Sequence, residues 1–362
     1  MAAGNLLSLN SKAEWVAFLA GFGSILLTFM AGAEIEPDVM RRYLKESLAI
    51  GFISFLFPFL GAMAFAHYIA GWTWQAAEIC GIALSTTSVA VVYAVMIETG
   101  LNETEFGKLI LAACFVTDLG TVLALGALFA NYNWWLVVFA IVVGVVLTSA
   151  PRFSRWFFRT FGNHVSEPEI KLMFLLLFAL GALAVKANSE AVLPAYLLGL
   201  VVAKLFSENR TIVRHLRTTV FAFLTPFYFL KAGMLVSLGS VWQGALLIVV
   251  LLLVKMATKF IGVWPLTRAF KFSQRLGMYT TLLMSTGLTF GSISALFGYT
   301  RGIINQYQYT VLVTVVIGSA LVPTMIAQSF FRPRIEEASF RAPEPKPELA
   351  AARAARSPEA QE

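Results

Sequence analysis

Four ionisable side chains, Asp118, Lys231, Lys255 and Lys259, stand well inside long apolar runs. Charge at the middle of a bilayer costs several kcal/mol, about 3 on insertion scales, so each is a functional candidate by default. Asp118 is a carboxylate about eleven residues into the run 107–130, too deep for its short side chain to reach water. It can hold a proton or, ionised, a dehydrated monovalent cation, with further oxygens from Thr117, Thr87 and Ser88 and from nearby carbonyls. The bland alternative is a structural acceptor paired with a lysine. Lys255 and Lys259 are four residues apart and share a helix face, so both can point at one cavity, or Lys259 can snorkel toward the inner surface.

Two patches of helix-weakening polar residues interrupt other runs. Ser85, Thr86, Thr87 and Ser88 lie at the centre of 76–97; Ser285, Thr286, Gly287, Leu288 and Thr289 to Ser292 lie at the centre of 277–298. Small residues of this kind also serve as close helix contacts. Their placement argues for more. Each patch sits in the middle span of a three-span group, 48–130 and 241–330, and the number of spans between the groups gives them opposite orientation. Paired broken helices in an inverted repeat point to a midplane ion site whose freed carbonyls replace the ion's water.

The elements that must position these residues follow from composition. The chain of 362 residues is 58% hydrophobic and 13% charged, too little polar surface for a water-soluble globule. Eleven apolar runs are long enough for spans, at 15–33, 48–70, 76–97, 107–130, 134–150, 172–187, 191–207, 218–238, 241–266, 277–298 and 307–330. An outside N-terminus puts Arg41, Arg42, Lys45, Lys108, Arg152, Arg155, Arg159, Lys171, Lys204, Arg210, Arg214, Arg217, Arg268, Lys271 and Arg275 in cytoplasmic loops. Only Lys12, Lys186 and Arg301 remain opposite, as the positive-inside rule requires. The expected organisation is an extracytoplasmic lead over 1–14, a membrane domain over 15–330 with linker or interface helices at 15–33 and 134–238, and a disordered cytoplasmic tail over 331–362. The fold class is an all-α polytopic membrane protein.

The net charge of +7 comes from loop clusters and gives no basic face for nucleic acid. Cys80 and Cys114 read as packing residues, and no cofactor or resident metal motif is present in the sequence. His67, His164 and His215 are scattered and no second intramembrane acid accompanies Asp118, which argues against an enzyme.

The segments ALSTTSVAVVYAVMIETGL (83–101) and KLILAACFVTDLGTVLAL (108–125) resemble the broken helix and ion-binding helix of bacterial sodium/proton antiporters of the NapA and GerN kind, with NhaA a more distant cousin. LTFMAGAEIEPD resembles the family's third helix, FLTPFYFLKAGMLVSL its tenth and LLVKMATKFIGV its lysine-bearing eleventh. The resemblance implies exchange of H+ for Na+ or K+, with Li+ as a further candidate, by a core moving like an elevator against an interface panel, in a homodimer in the cell's inner membrane. It gives Lys259 the role of the lysine facing the carboxylate, with Lys255 and Lys231 as further charge-tuning candidates. It also implies a chain lacking the family's first two helices. Two departures stand out. Electrogenic members carry paired acids where this chain has Thr117 and Asp118, which implies electroneutral exchange, and the Arg-Gly-Glu signature reads Thr286, Gly287, Leu288. A gated potassium efflux pathway or channel of the same fold, and a bile-acid-like sodium symporter, are the remaining alternatives.

Overall fold

The computed structural model describes residues 13–33, 44–102, 104–129, 134–162, 164, 166–187 and 191–333. The lead before residue 13, the basic residues Arg41 and Arg42 and the tail beyond residue 333 lie outside the described residues.

The regular elements are helical throughout. α1 is Glu14–Ala33, α2 Leu44–Ala64 with a π turn over Phe65–Ile69, α3 Trp74–Ser85, α4 Val89–Thr99, α5 Glu105–Leu128, α6 Trp134–Phe161, α7 Pro168–Lys186 and α8 Val192–Glu208. There follow α9 Arg210–Thr219, a π turn Val220–Leu224, α10 Thr225–Met234, α11 Leu238–Gln243, α12 Ala245–Ala269, α13 Gln274–Met284, α14 Thr289–Thr300 and α15 Gln306–Phe330. In hydrocarbon every backbone group must be satisfied within the protein, and helices do this within each segment. Among the described residues nine helical stretches are long and apolar enough to cross a membrane, counting α3–α4 and α13–α14 as single broken stretches.

Three local features differ from the sequence reading. The run at 134–150 continues to Phe161, with Pro151 accommodated inside α6. Val192–Ser207 is apolar but shorter than a full span. The run at 218–238 is divided by the π turn, and Pro226 starts α10, where its missing N–H costs nothing.

α2, α3–α4 and α5 form one three-span group; α12, α13–α14 and α15 form the other. They pack as an inverted-repeat core in which α2 lies on α3, α5 and α12, while α14 lies on α3 and α15. An apolar cluster joins α1, α6, α7, α8 and α10 and reaches the repeats through Phe115 and Val122 of α5 and Phe290 and Ile293 of α14. In it α1 and α8 approach so closely that a side chain at Gly32 would overlap the Tyr196 carbonyl, and one at Gly199 the Phe29 carbonyl. Glycine is required at that crossing.

Candidate functional site

Both polar patches are breaks in the helix. α3 ends at Ser85; Thr86 is extended (φ −61°, ψ 151°) and Ser88, also extended, caps α4 by accepting the Val91 N–H. α13 ends at Met284, and α14 resumes at Thr289. The breaks face each other and are stitched together. The Thr87 hydroxyl donates to the Met284 carbonyl at 2.9 Å, and the Ser88 N–H donates to Thr286 Oγ1 at 3.4 Å. Thr286 Oγ1 in turn donates to Leu283 O, so carbonyls and amides released by one break are taken up by side chains of the other. Ser85, Thr86, Thr87, Ser88, Leu283, Met284 and Thr286 are all buried. At Gly287 a Cβ would collide with Lys255 Nζ and sit 2.9 Å from Thr86 Oγ1, so a side chain there would have to push these groups aside.

Asp118 projects from the middle of α5 and is 1% exposed. One turn earlier, Cys114 Sγ lies 3.8 Å from Met284 Sδ, so α5 passes directly beside the second break. The Thr117 hydroxyl is within hydrogen-bonding distance of the carbonyls of Gly51 (3.2 Å) and Ala113 (3.1 Å), which leaves its lone pairs uncommitted. Asp118 Oδ1 is buried and has no hydrogen-bond partner among the described residues. Buried polar atoms are nearly always partnered, and a carboxylate oxygen is among the costliest to leave bare. An oxygen of this kind is chemically able to take a proton or a cation.

The two lysines of α12 are both fully buried, which closes the snorkelling route for Lys259. Lys259 Nζ donates to Ser54 Oγ (2.7 Å), Ser85 O (2.9 Å) and Thr87 Oγ1 (3.0 Å), three acceptors for the three protons of an ammonium. It therefore clasps the carbonyl end of α3, where the helix dipole favours positive charge. It acts on Asp118 electrostatically, without a hydrogen bond to it. Lys255 Nζ has a single acceptor among the described residues, Ser319 Oγ at 3.0 Å. Lys231, half-buried on α10, shares no hydrogen bond with this cluster among the described residues.

The structure thus gathers Asp118, Thr117, Thr87, Lys255, Lys259 and both breaks, with Ser85, Thr86, Ser88, Ser285, Thr286 and Gly287, into one buried region, and leaves Lys231 aside. It also commits Thr87 more heavily than its sequence position suggests: the hydroxyl proton goes to Met284 and one lone pair to Lys259. Three participants carry no distinctive signal in the chain. Ser54 and Ser319 are lone serines in apolar runs. Tyr196 reaches from α8 to donate to the Phe115 carbonyl at 3.0 Å, beside Asp118. Among the described residues no cluster of His, Cys, Asp and Glu could hold a metal ion.

Comparison with known proteins bears on this arrangement. A Methanocaldococcus jannaschii protein named Probable Na(+)/H(+) antiporter 3 is 23% identical over 329 residues, covering 88% of this chain and 84% of that one. The Na(+)/H(+)-K(+) antiporter GerN of Bacillus cereus is 22% identical over 335 residues, covering 88% and 84%. The structure of the sodium proton antiporter MjNhaP1 from Methanocaldococcus jannaschii at pH 8 superposes with a TM-score of 0.65 over 92% of this chain and 90% of that one, at 14% identity, a likeness of fold. The profile of the family described as sodium/hydrogen exchanger, transmembrane, matches residues 1–332. This multi-pass membrane chain belongs to the sodium/hydrogen exchanger family.

Proposed function

We propose that the protein exchanges H+ for Na+ or K+, with Li+ as a further substrate, by making the two ions compete for Asp118. The observation that carries this reading is the bare, buried Oδ1 of Asp118 next to a lysine whose three protons are already bonded elsewhere. Had Lys259 closed an ion pair on Asp118, a cation would have to displace it. Instead the carboxylate is left to bind a proton as a neutral acid or a dehydrated cation as an ion pair, and cannot do both. Thr117 Oγ1, the remaining lone pair of Thr87, Ser88 Oγ and carbonyls of the breaks supply the oxygens a desolvated cation needs. The nearby Lys259 charge prevents Asp118 from holding the cation too tightly to release it. Coupling follows if the core crosses only with Asp118 neutralised, one proton one way and one cation the other, with no net charge moved.

The relatives' names describe Na+/H+ and Na+/H+-K+ exchange in those proteins, which supports the same substrate class here. The reading further places the chain in the cell membrane as a homodimer, with its C-terminus cytoplasmic, and has the repeat core moving like an elevator against a panel drawn from α1 and the helices α6–α10. Lys255 and Lys231 are assigned secondary, charge-tuning roles. The test is reconstitution with a trapped pH dye and pulses of NaCl, KCl or LiCl. Wild-type protein should move protons against at least one cation and Asp118→Asn should move none, because the amide keeps the volume but cannot ionise. Substantial exchange by a folded Asp118→Asn protein would refute the site.

A further inference from the structure

We propose that the inner end of α6 is a docking site for anionic phospholipid headgroups, built from Arg152, Arg155 and Arg159 with Phe153 and Trp156 as its aromatic wedge. The inference is independent of the exchange reaction and rests on how α6 fits a bilayer. At about 1.5 Å per residue its 28 residues reach about 42 Å, well beyond a hydrocarbon core of about 30 Å. It is also the least covered of the nine membrane-length helices, with 11% of its most apolar window buried. Exposed aromatic residues mark two levels on it: Trp134 (75% exposed) and Trp135 at the start, then Phe153 and Trp156 (54% exposed) about 30 Å further along. Between them the exposed side chains include the aliphatic Val137, Ile141 and Val145, and Thr148 and Ser149, whose hydroxyls donate to the backbone carbonyls of Gly144 and Val145. Aromatic rings settle at the two lipid–water boundaries, so this spacing sets the level of the arginines at the headgroups.

The arginines occupy one stripe, spaced three and four residues apart, and all three are exposed. Ala150, Ser154 and Phe158, spaced by four, form the buried stripe that faces the helices α7 and α8. None of the three guanidinium groups has an ion pair or hydrogen bond among the described residues. The nearby acid Glu167, at the start of α7, is instead paired with His215 of α9 at 2.5 Å. A planar guanidinium with free donors matches a phosphate oxygen pair, and the anionic cytoplasmic leaflet supplies such phosphates at this depth. Phe153 and Trp156, with ring centroids 5.8 Å apart, offer an apolar surface beside them for the upper acyl chain. A second copy of the chain is the poorer occupant: a two-fold contact through this stripe would set the arginine ridge against itself.

The test uses the full-length protein purified in a neutral detergent. Its thermal unfolding is followed while phosphatidylglycerol, phosphatidylcholine of the same acyl chains, or inorganic phosphate is added. The wild-type melting temperature should rise with phosphatidylglycerol, and not with phosphatidylcholine or phosphate, and the rise should shrink in about 0.5 M NaCl as screening increases. The variant R152Q/R155Q/R159Q should keep less than half of that shift, whereas K171Q/K204Q/R214Q, which neutralises other exposed charges of the same face, should keep most of it. If the first triple variant does not give a cooperative transition in phosphatidylcholine, the single variant R155Q is compared with wild type for retention of phosphatidylglycerol by native mass spectrometry, with reduced retention expected. An undiminished shift or retention in the arginine variants overturns the proposal. So does an equal effect of phosphatidylcholine, an equal loss in the control variant, or dissociation of a wild-type dimer by the arginine substitutions.

Discussion

The two repeats of the core are built alike and equipped differently. In the first, the third span α5 carries Asp118 and the first span α2 carries Ser54; in the second, the third span α15 carries Ser319 and the first span α12 carries Lys255 and Lys259. The lysines divide between the halves. Lys259 reaches across to the first repeat and is held by Ser54, Ser85 and Thr87, while Lys255 stays within the second and is held by Ser319. Among the described residues the first break therefore has a fully bonded lysine at its side and the second a lysine with one bond, while Asp118 projects from α5, whose Cys114 touches Met284 of the second break. One scaffold, repeated, supplies two crossing points, and the fuller set of lysine hydrogen bonds is at the first. The inverted repeat provides geometry, and a handful of unlike residues at matched places sets the two halves apart.

Removing the lysines should expose this asymmetry most strongly. Lys259→Met leaves three buried acceptors without a donor, each costing about 1–3 kcal/mol, so thermal stability in detergent should fall by several kcal/mol. Lys255→Met orphans only Ser319 Oγ, which still donates to Val316 O, and should cost about 1 kcal/mol. Equal losses from the two substitutions would erase the distinction drawn between the halves. Next in size, Gly287→Ala forces a methyl group onto Lys255 Nζ and Thr86 Oγ1, so it should cost about 1–3 kcal/mol through overpacking and lower the exchange rate, as measured by melting curves and vesicle assays.

Smaller effects sharpen the comparison at the ion itself. Thr87→Val removes the donor to Met284 and an acceptor of Lys259 along with one candidate ligand oxygen. It should weaken apparent cation affinity several-fold and destabilise by about 1–2 kcal/mol. Thr286→Val, on the other break, loses a 3.4 Å contact and a local bond and should leave affinity within about twofold, the difference being read from the cation dependence of exchange. If the two threonines behave alike, the breaks are equivalent and the first has no privileged role.

Much of this was legible in the chain because membrane physics penalises exceptions. Asp118 stands out since a lone carboxylate in an apolar run demands a reason, and the two polar patches stand out because they interrupt helices that otherwise satisfy their own backbone. The helix breaks fall where those patches predict. What the sequence does not disclose is who bonds to whom. The bond between Lys259 and Ser54 joins residues 205 apart in the chain, and a single serine in a membrane helix looks the same whether it receives a lysine or packs against a neighbour. For the same reason Thr87 reads as a free ligand until Met284 and Lys259 are seen to use it. Four-residue spacing places Lys255 and Lys259 on one face yet cannot say that they serve different repeats. The end of α6 is a further case: Arg, Phe and Trp after Pro151 read as a loop, whereas the helix runs through the proline to Phe161.

The central claim is that proton and cation are alternatives at one carboxylate. It is tested most directly by measuring proton release when Na+ or K+ is added to the purified protein in weakly buffered detergent solution, across a range of pH. The account predicts about one proton released per cation bound at pH values where Asp118 is protonated, an apparent cation affinity that weakens up to about tenfold per pH unit on acidification, and no release from Asp118→Asn. Cation binding without proton release, or release that survives Asp118→Asn, would contradict it.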